Sequence, residues 1–209
     1  EEYHHLEQQE DIEIPSKNLE IDHLLEENNI ESIPLYKCIE FKENISDKVK
    51  NNIESILLDL NILNAKIIRE EDIKKLVKLN KNIFYLTKTQ EKRDNLLKYF
   101  RVTLNNDTKI SKKYVEDILK SISTNSEDLI SVGEDGKATI DALNLVADDN
   151  YQQVFIGYLK RAELKKKKLE ELAEKIDFLS KEIKTIENLI DSTNQKILII
   201  RDESKNFPD

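Results

Sequence analysis

Methionine and tryptophan are absent from this 209-residue chain, and cysteine occurs once, at Cys38. A single thiol excludes an internal disulfide framework and any zinc site built from several cysteines. Glycine and proline number three each. That is too few for an α/β enzyme rich in glycine loops and fits a mostly helical, extended protein. There is no run of eighteen apolar residues and no signal peptide, so a soluble, cytosolic chain with no membrane partner is expected. The nucleotide and nucleophile signatures GxxxxGK(S/T), GxGxxG and GxSxG are all missing. The lack of methionine even at the first position reads most simply as a piece excised from a larger protein.

Charge is plentiful: 36% of residues are Asp, Glu, Lys or Arg, and the formal net charge is −9. That balance argues against wholesale nucleic-acid binding but leaves room for a local basic patch. His4 and His5 are adjacent, so on a helix they point in different directions and cannot form the one-face pair a metal needs. Glu26-Glu27 and Glu70-Glu71-Asp72 are also sequence neighbours, and a helix start or solvated face explains them better than a general acid/base pair. Gly133 to Gly136 lacks the further oxygen ligands and closing Glu of a calcium loop. Cys38, expected in mid-strand, reads as a small buried hydrophobe. Neither catalysis nor a cofactor is expected within these residues.

The pattern along the chain predicts an α+β domain. Glu1 to Gln9 is helix-compatible and reads as the end of an incoming coiled-coil arm (1–14), broken by Pro15. Ser16 is placed to cap a short helix over Lys17 to Asn28. Ile33 to Lys42 predicts one strand with alternating faces. Ser46 is placed to cap a helix whose core stripe is Val49, Ile53, Ile56, Leu57 and Leu60. Short strands are expected at Ala65 to Arg69, Ile83 to Thr87 and Phe100 to Leu104. Helices are expected from Glu70 onwards, with Ile73, Leu76 and Val77 facing inward, and over Gln90 to Tyr99. After a turn at Asn105-Asn106-Asp107, Ser111 should cap a helix bearing Tyr114, Val115, Ile118, Leu119 and Ile122. Leu129 to Asp141 predicts a hairpin turning at Glu134-Asp135-Gly136, and Ala142 to Asn150 a polar-flanked connection. Whether the short strands form one sheet or two is open.

The last quarter of the chain is different in kind. From Phe155 to Ile200, apolar or near-apolar residues recur in steps of three and four for six heptads, and Lys165 is the frankly polar exception. Leu169, Leu172, Ile176, Leu179, Ile183, Ile186 and Ile190 form the centre of this seam. A helix of that length spans about 65–70 Å and cannot bury such a stripe alone. A long helix lying on its own domain would show a wider stripe and end sooner. The expected organisation is therefore a small mixed α/β domain (15–150) attached to a coiled-coil arm (151–209). Just after the junction, Lys160, Arg161, Lys165, Lys166, Lys167 and Lys168 form a basic group. A nucleic-acid-binding module using them is the alternative to a solvated coiled-coil surface.

Several segments resemble the MukB-like SMC proteins of the Wadjet plasmid-defence system, the JetC type. Ile30 to Phe41 (IESIPLYKCIEF) is similar to that family's stretch around "vPLY", and Ile53 to Ile68 (IESILLDLNILNAKII) to its "aLleaGLLDALi". Tyr114 to Ser123 precedes the hairpin Ser131 to Thr139 in the family's order. Phe155 to Arg161 (FIGYLKR) resembles the "fIG" segment that opens the long outgoing helix. The resemblance spans about 30–172; Leu60-Asn61 stands where that family commonly has Gly, and Asn64 where it has Asp. It implies a hinge-containing middle of a much longer chain, hinge-like in fold. The ATPase heads would lie outside it, and the parent would be an ATP-driven DNA loop extruder. The implied partners are a second copy through the hinge, the incoming arm of the same chain, and kleisin, KITE and nuclease subunits together with DNA.

Overall fold

The computed structural model describes residues 2–9, 12–14, 19–79, 81–105 and 107–205. The chain divides into two compact units, Asp11–Leu164 and the pair of segments Glu1–Glu10 and Lys165–Asp209. The first is mixed α/β with small sheets, and a long C-terminal helix runs on into the second.

The Asp11–Leu164 unit opens with α2 (Leu19–Glu27), since α1 (Glu2–Gln8) belongs to the other unit. The expected cap at Ser16 lies outside the described residues. The end of α2 is a Schellman motif: Asn29 takes the left-handed conformation at φ +52°. Its N–H donates to Glu26 O, and the Ile30 N–H reaches back to Leu25 O, each at 2.9 Å. Leu25 and Ile30, brought together by that turn, are both buried with Ile68 and Leu76 in a small second core. Asparagine tolerates this backbone better than most residues after glycine.

Next come β1 (Ser32–Pro34), one helical turn α3 (Leu35–Cys38) and β2 (Ile39–Phe41). The single strand expected over Ile33 to Lys42 is thus broken. Pro34, at φ −68°, precedes the turn, and the N–H groups of Leu35 and Tyr36 donate to Ala65 O and Leu63 O. The turn lets Leu35, Tyr36 and Cys38 all enter the core, where strict alternation would have sent Leu35 and Tyr36 to opposite faces.

Helix α4 (Asp47–Asp59) is the centre of the unit. Ser46 stands at its N-cap but makes no side-chain cap hydrogen bond. Ile53, Ile56 and Leu57 are fully buried, each contributing about 1.5–3 kcal/mol of apolar burial. Its C-terminus repeats the device of α2: Asn61 sits at φ +56°, with Asn61 N–H to Leu58 O at 2.9 Å and Ile62 N–H to Leu57 O at 2.8 Å. Position 61 therefore needs the conformation glycine adopts most cheaply.

β3 (Lys66–Ile68) pairs antiparallel with β1, and β4 (Tyr85–Leu86) pairs parallel with β3. Between them a 3-10 turn (Glu70–Asp72) leads into α5 (Ile73–Lys78). Leu76 is buried as expected, but Val77 is 69% exposed, because α5 is too short to bury more than one face. The helix expected over Gln90 to Tyr99 is reduced to a 3-10 turn at Leu96–Lys98. There the Asn95 side chain accepts from Leu97 N–H and donates to Lys92 O, local bonds that compete with a helix.

β5 (Phe100–Val102) pairs antiparallel with β2, with Phe100 opposite Phe41. Ser111 caps α6 (Lys112–Lys120) as expected, its Oγ accepting from Tyr114 N–H. The hairpin of β6 (Ile130–Val132) and β7 (Lys137–Ile140) turns where expected, at φ +83° on Gly136. The stretch after it is not a plain connection. A turn with Asp141 at φ +50° returns the chain as β8 (Leu143–Val146), antiparallel to β7. Among the described residues the strands thus form three small sheets.

Helix α7 (Tyr158–Lys205) runs 48 residues, about 72 Å at 1.5 Å per residue. No helix among the described residues is long and apolar enough to cross a membrane.

Candidate functional site

Two features of the chain point towards function: the way α7 is fastened at its start, and the stripe it presents further along.

The fastening begins on α4, where residues 52–57 are buried all round rather than on one face. The polar side chains among them, with Asn51, each hold a later segment. Asn52 Nδ2 donates to Glu134 O in the β6–β7 turn at 3.0 Å, and Gly136 comes so close that an added Cβ would meet the Asn52 amide at 3.2 Å. Ser55 Oγ accepts from Asp148 N–H, and Asn51 Oδ1 from Gln153 N–H. Glu54, with no solvent exposure, accepts from three consecutive amides. Val154 and Phe155 N–H donate to Oε1 at 2.6 and 2.9 Å, and Ile156 N–H to Oε2 at 2.7 Å. The Tyr151 hydroxyl adds a fourth bond at 2.7 Å. Burial, together with Glu54, pushes the Tyr151 phenol well above its ordinary value.

Residues 154–156 are held by Glu54 ahead of α7, which starts at Tyr158 and not at Phe155. Gly157, at φ +100°, makes the bend. Arg161, one turn into α7, is 5% exposed. Its Nη1 donates to Phe155 O at 2.9 Å and to Tyr36 O at 3.2 Å, and its guanidinium lies 5.4 Å from the Tyr36 ring centre. Arg161 is therefore corrected from a surface nucleic-acid contact to a structural residue of the junction. Glu54 was not singled out from the sequence. Its signal was a lone carboxylate inside an otherwise uncharged helical run, Ile53 to Leu58.

The remaining basic residues are largely engaged. Lys165 Nζ donates to the carbonyls of Glu7 and Gln9, tying α1 to α7 within their own unit. Lys160 pairs with Glu163 at 3.1 Å, and Lys166 and Lys167 face Glu170 and Glu171 at 3.9 Å. Lys168 is exposed. This is a charge-balanced helix surface rather than a concentrated cationic face.

The stripe is open. Leu169 and Leu172 are half-buried, whereas Ile176, Leu179, Ile183, Ile186 and Ile190 are between 45% and 56% exposed. Isoleucine occupies the first core position of every heptad from Ile176 to Ile197. Thr193, the polar member of that stretch, bonds Leu189 O on its own helix at 2.8 Å. Among the described residues nothing covers this face.

Elsewhere Cys38 and Asp72 have partners, whereas the buried hydroxyls of Tyr114 and Thr124 make no hydrogen bond to a described residue. Cys38 is buried at the end of α3, not in mid-strand; its thiol donates to Pro34 O, and burial pushes its pKa up to about 12, Arg161 opposing. Asp72 stands at the start of α5, as one of the two expected readings has it, but it is not solvated. It is 1% exposed, bound through Oδ1 to Lys75 at 2.7 Å and through Oδ2 to Arg69 Nε at 2.9 Å. Burial works against its charge, but the Lys75 and Arg69 hydrogen bonds outweigh this and hold its carboxyl below the usual range. Clefts of about 480 and 490 Å³ lie beside Tyr114 and Tyr36, lined by mixed charges. Among the described residues no cluster of three or more His, Cys, Asp or Glu could hold a metal ion.

No protein-family model, curated protein or solved structure matches this chain.

Proposed function

We propose that this chain is a dimerisation hinge with part of its coiled-coil arm, belonging to an SMC-like DNA loop-extruding ATPase that acts in plasmid defence in the cytoplasm. The observation that carries this reading is the exposed heptad stripe of α7, from Ile176 to Ile190. A stripe of that length and spacing is built to lie against another helix, and the incoming arm of the same parent chain is its intended partner. The junction supports the reading too. Tyr36, Glu54 and Phe155 to Arg161 come from three separate segments that resemble the JetC-type proteins, and they are bonded together at the base of α7.

In this reading the chain does no chemistry and takes no cofactor. Distant heads turn over ATP, while the hinge joins two subunits and the arms carry the connection to kleisin, KITE, nuclease and DNA. The clasp of α4 on the segment that leads into α7 suits an element that passes displacement on up to the load at which its hydrogen bonds part.

The test is molar mass by light scattering over a concentration series, on the full chain and on Ile183→Glu/Ile186→Glu. A dimer in both is expected, because the hinge pairs through its globular unit. If only the unsubstituted chain dimerises, association resides in the seam and the dimerisation-hinge reading fails. Monomers throughout would remove it as well.

A further inference from the structure

The β6-β7-β8 sheet has one closed edge and one open edge. On the β6 side, Val132 N–H donates to Ser123 O at 2.9 Å. On the other side, Ala147 N–H donates to Gly136 O at 2.8 Å, and the same register pairs Leu145 with Ala138 and Leu143 with Ile140. In an antiparallel ladder this turns the main-chain groups of 143, 145 and 147 towards β7 and those of Asn144 and Val146 outwards. No main-chain hydrogen bond from another described residue reaches that outer side. The aligned row of Ile130, Ile140 and Leu143 crosses all three strands up to this edge, with Ile130 56% and Leu143 59% exposed.

Open edges are normally guarded by lysine, proline, a bulge or a covering element. β8 reads Leu-Asn-Leu-Val and has no charge or proline. The charges stand at its two ends, and all of them have one sign. Asp141 precedes β8, and its N–H donates to Leu129 O, which brings the Glu127-Asp128 segment to the same end. Asp148 and Asp149 follow β8 at the other end. Glu127, Asp141, Asp148 and Asp149 are exposed, and none of them pairs with a cation among the described residues. Lys137, the single base within 127–149, faces Asp135 at 3.7 Å. A second copy laid along β8 in either direction would set carboxylates against carboxylates at both ends, a repulsive arrangement. A strand with cations at its ends meets opposite charge at both.

We infer that β8 is the docking edge for a basic, extended segment of a different protein, added antiparallel as a fourth strand. That segment has apolar side chains at alternate positions over about five residues and Lys or Arg on both sides of them. Its main chain bonds to that of Asn144 and Val146, and its apolar side chains lie beside Leu143 and Leu145, continuing the exposed row of Ile130 and Ile140. Its terminal cations meet Glu127 and Asp141 at one end of β8 and Asp148 and Asp149 at the other. Ladder bonds and apolar contact hold such a strand, and the charges select which strand is held. This docking goes beyond the hinge reading and does not depend on it.

The probe is a fluorescein-labelled peptide, Lys-Lys-Val-Thr-Val-Thr-Val-Lys-Lys, titrated with the full chain at about 0.15 M salt and followed by anisotropy. Saturable binding is expected. Exchanging the four lysines for glutamates should weaken it about tenfold or more, since several exposed ion pairs each add a little. N-methylation of the two threonine amides should cost as much. With the valines beside Leu143 and Leu145, those amides face β8 and carry the ladder. Val146→Pro removes an outward N–H while the bonds to β7 remain. It should also weaken binding about tenfold, with the far-ultraviolet dichroism unchanged. If that variant does not fold, the N-methylated peptide decides alone. Undiminished binding of the N-methylated peptide, or of the parent peptide to folded Val146→Pro, would mean that charge alone collects the peptide and β8 is not its site. Absence of binding to the parent chain overturns the docking too. If in that case Val146→Pro lowers the molar mass of the chain, a second copy occupies the edge instead.

Discussion

Glu54 is the residue on which the junction depends. Its carboxylate answers three adjacent main-chain donors and a phenol in a place without solvent. Glu54→Ala leaves those donors buried and unpaired, a loss of about 3 kcal/mol or more in unfolding free energy, read by urea denaturation. Asp72 acts through pH. Its folded pKa lies below the ordinary 3.8, so its stabilisation is complete above that value and is lost as pH falls through the folded pKa. Asp72→Asn should therefore lower thermal stability at neutral pH. Acidification below about pH 4 should cost the variant less than the parent chain, as melting curves from pH 6 to pH 2 would show. Equal acid sensitivity in the two chains would mean that Asp72 carries no such load.

At the scale of elements, α4 and α7 differ in what keeps them helical. α4 is surrounded, so its helix is fixed by packing. α7 beyond Leu172 presents its apolar stripe to solvent, and helices gain most of their stability from packing that stripe. Helicity of the full chain should accordingly fall on dilution, as copies paired through the seam separate. Ile183→Glu/Ile186→Glu should show the lower helicity at every concentration, measured by circular dichroism. Concentration-independent helicity would show that the arm stands without a partner.

For the whole molecule, the parts legible in the sequence are those where one local signal decides the outcome. The heptad steps of α7, the Ser111 cap and the Glu134-Asp135-Gly136 turn all rest on nearby residues. The errors arise where distant groups decide. Ile33 to Lys42 alternates like a strand, but Leu63 and Ala65 accept its amides and fold its middle into a helical turn. Gln90 to Tyr99 loses its helix to pairing with Lys120 and Ile122 carbonyls. β8 looked like a connection because four residues without charge carry little periodicity. Arg161, beside five lysines, reads as part of a cationic face; its carbonyl partner Tyr36 lies 125 residues away.

The clasp of Glu54 on Val154, Phe155 and Ile156 gives the junction a mechanical character. A pull on α7 reaches the Asp11–Leu164 unit through Arg161 and these three amides. The amides converge on one carboxylate, so they share tension and yield together instead of peeling away singly. Ile53, Ile56 and Leu57 stay seated by packing in the main core. The junction would thus act as a fuse, parting before the domain behind it unravels and able to close again once the tension is released.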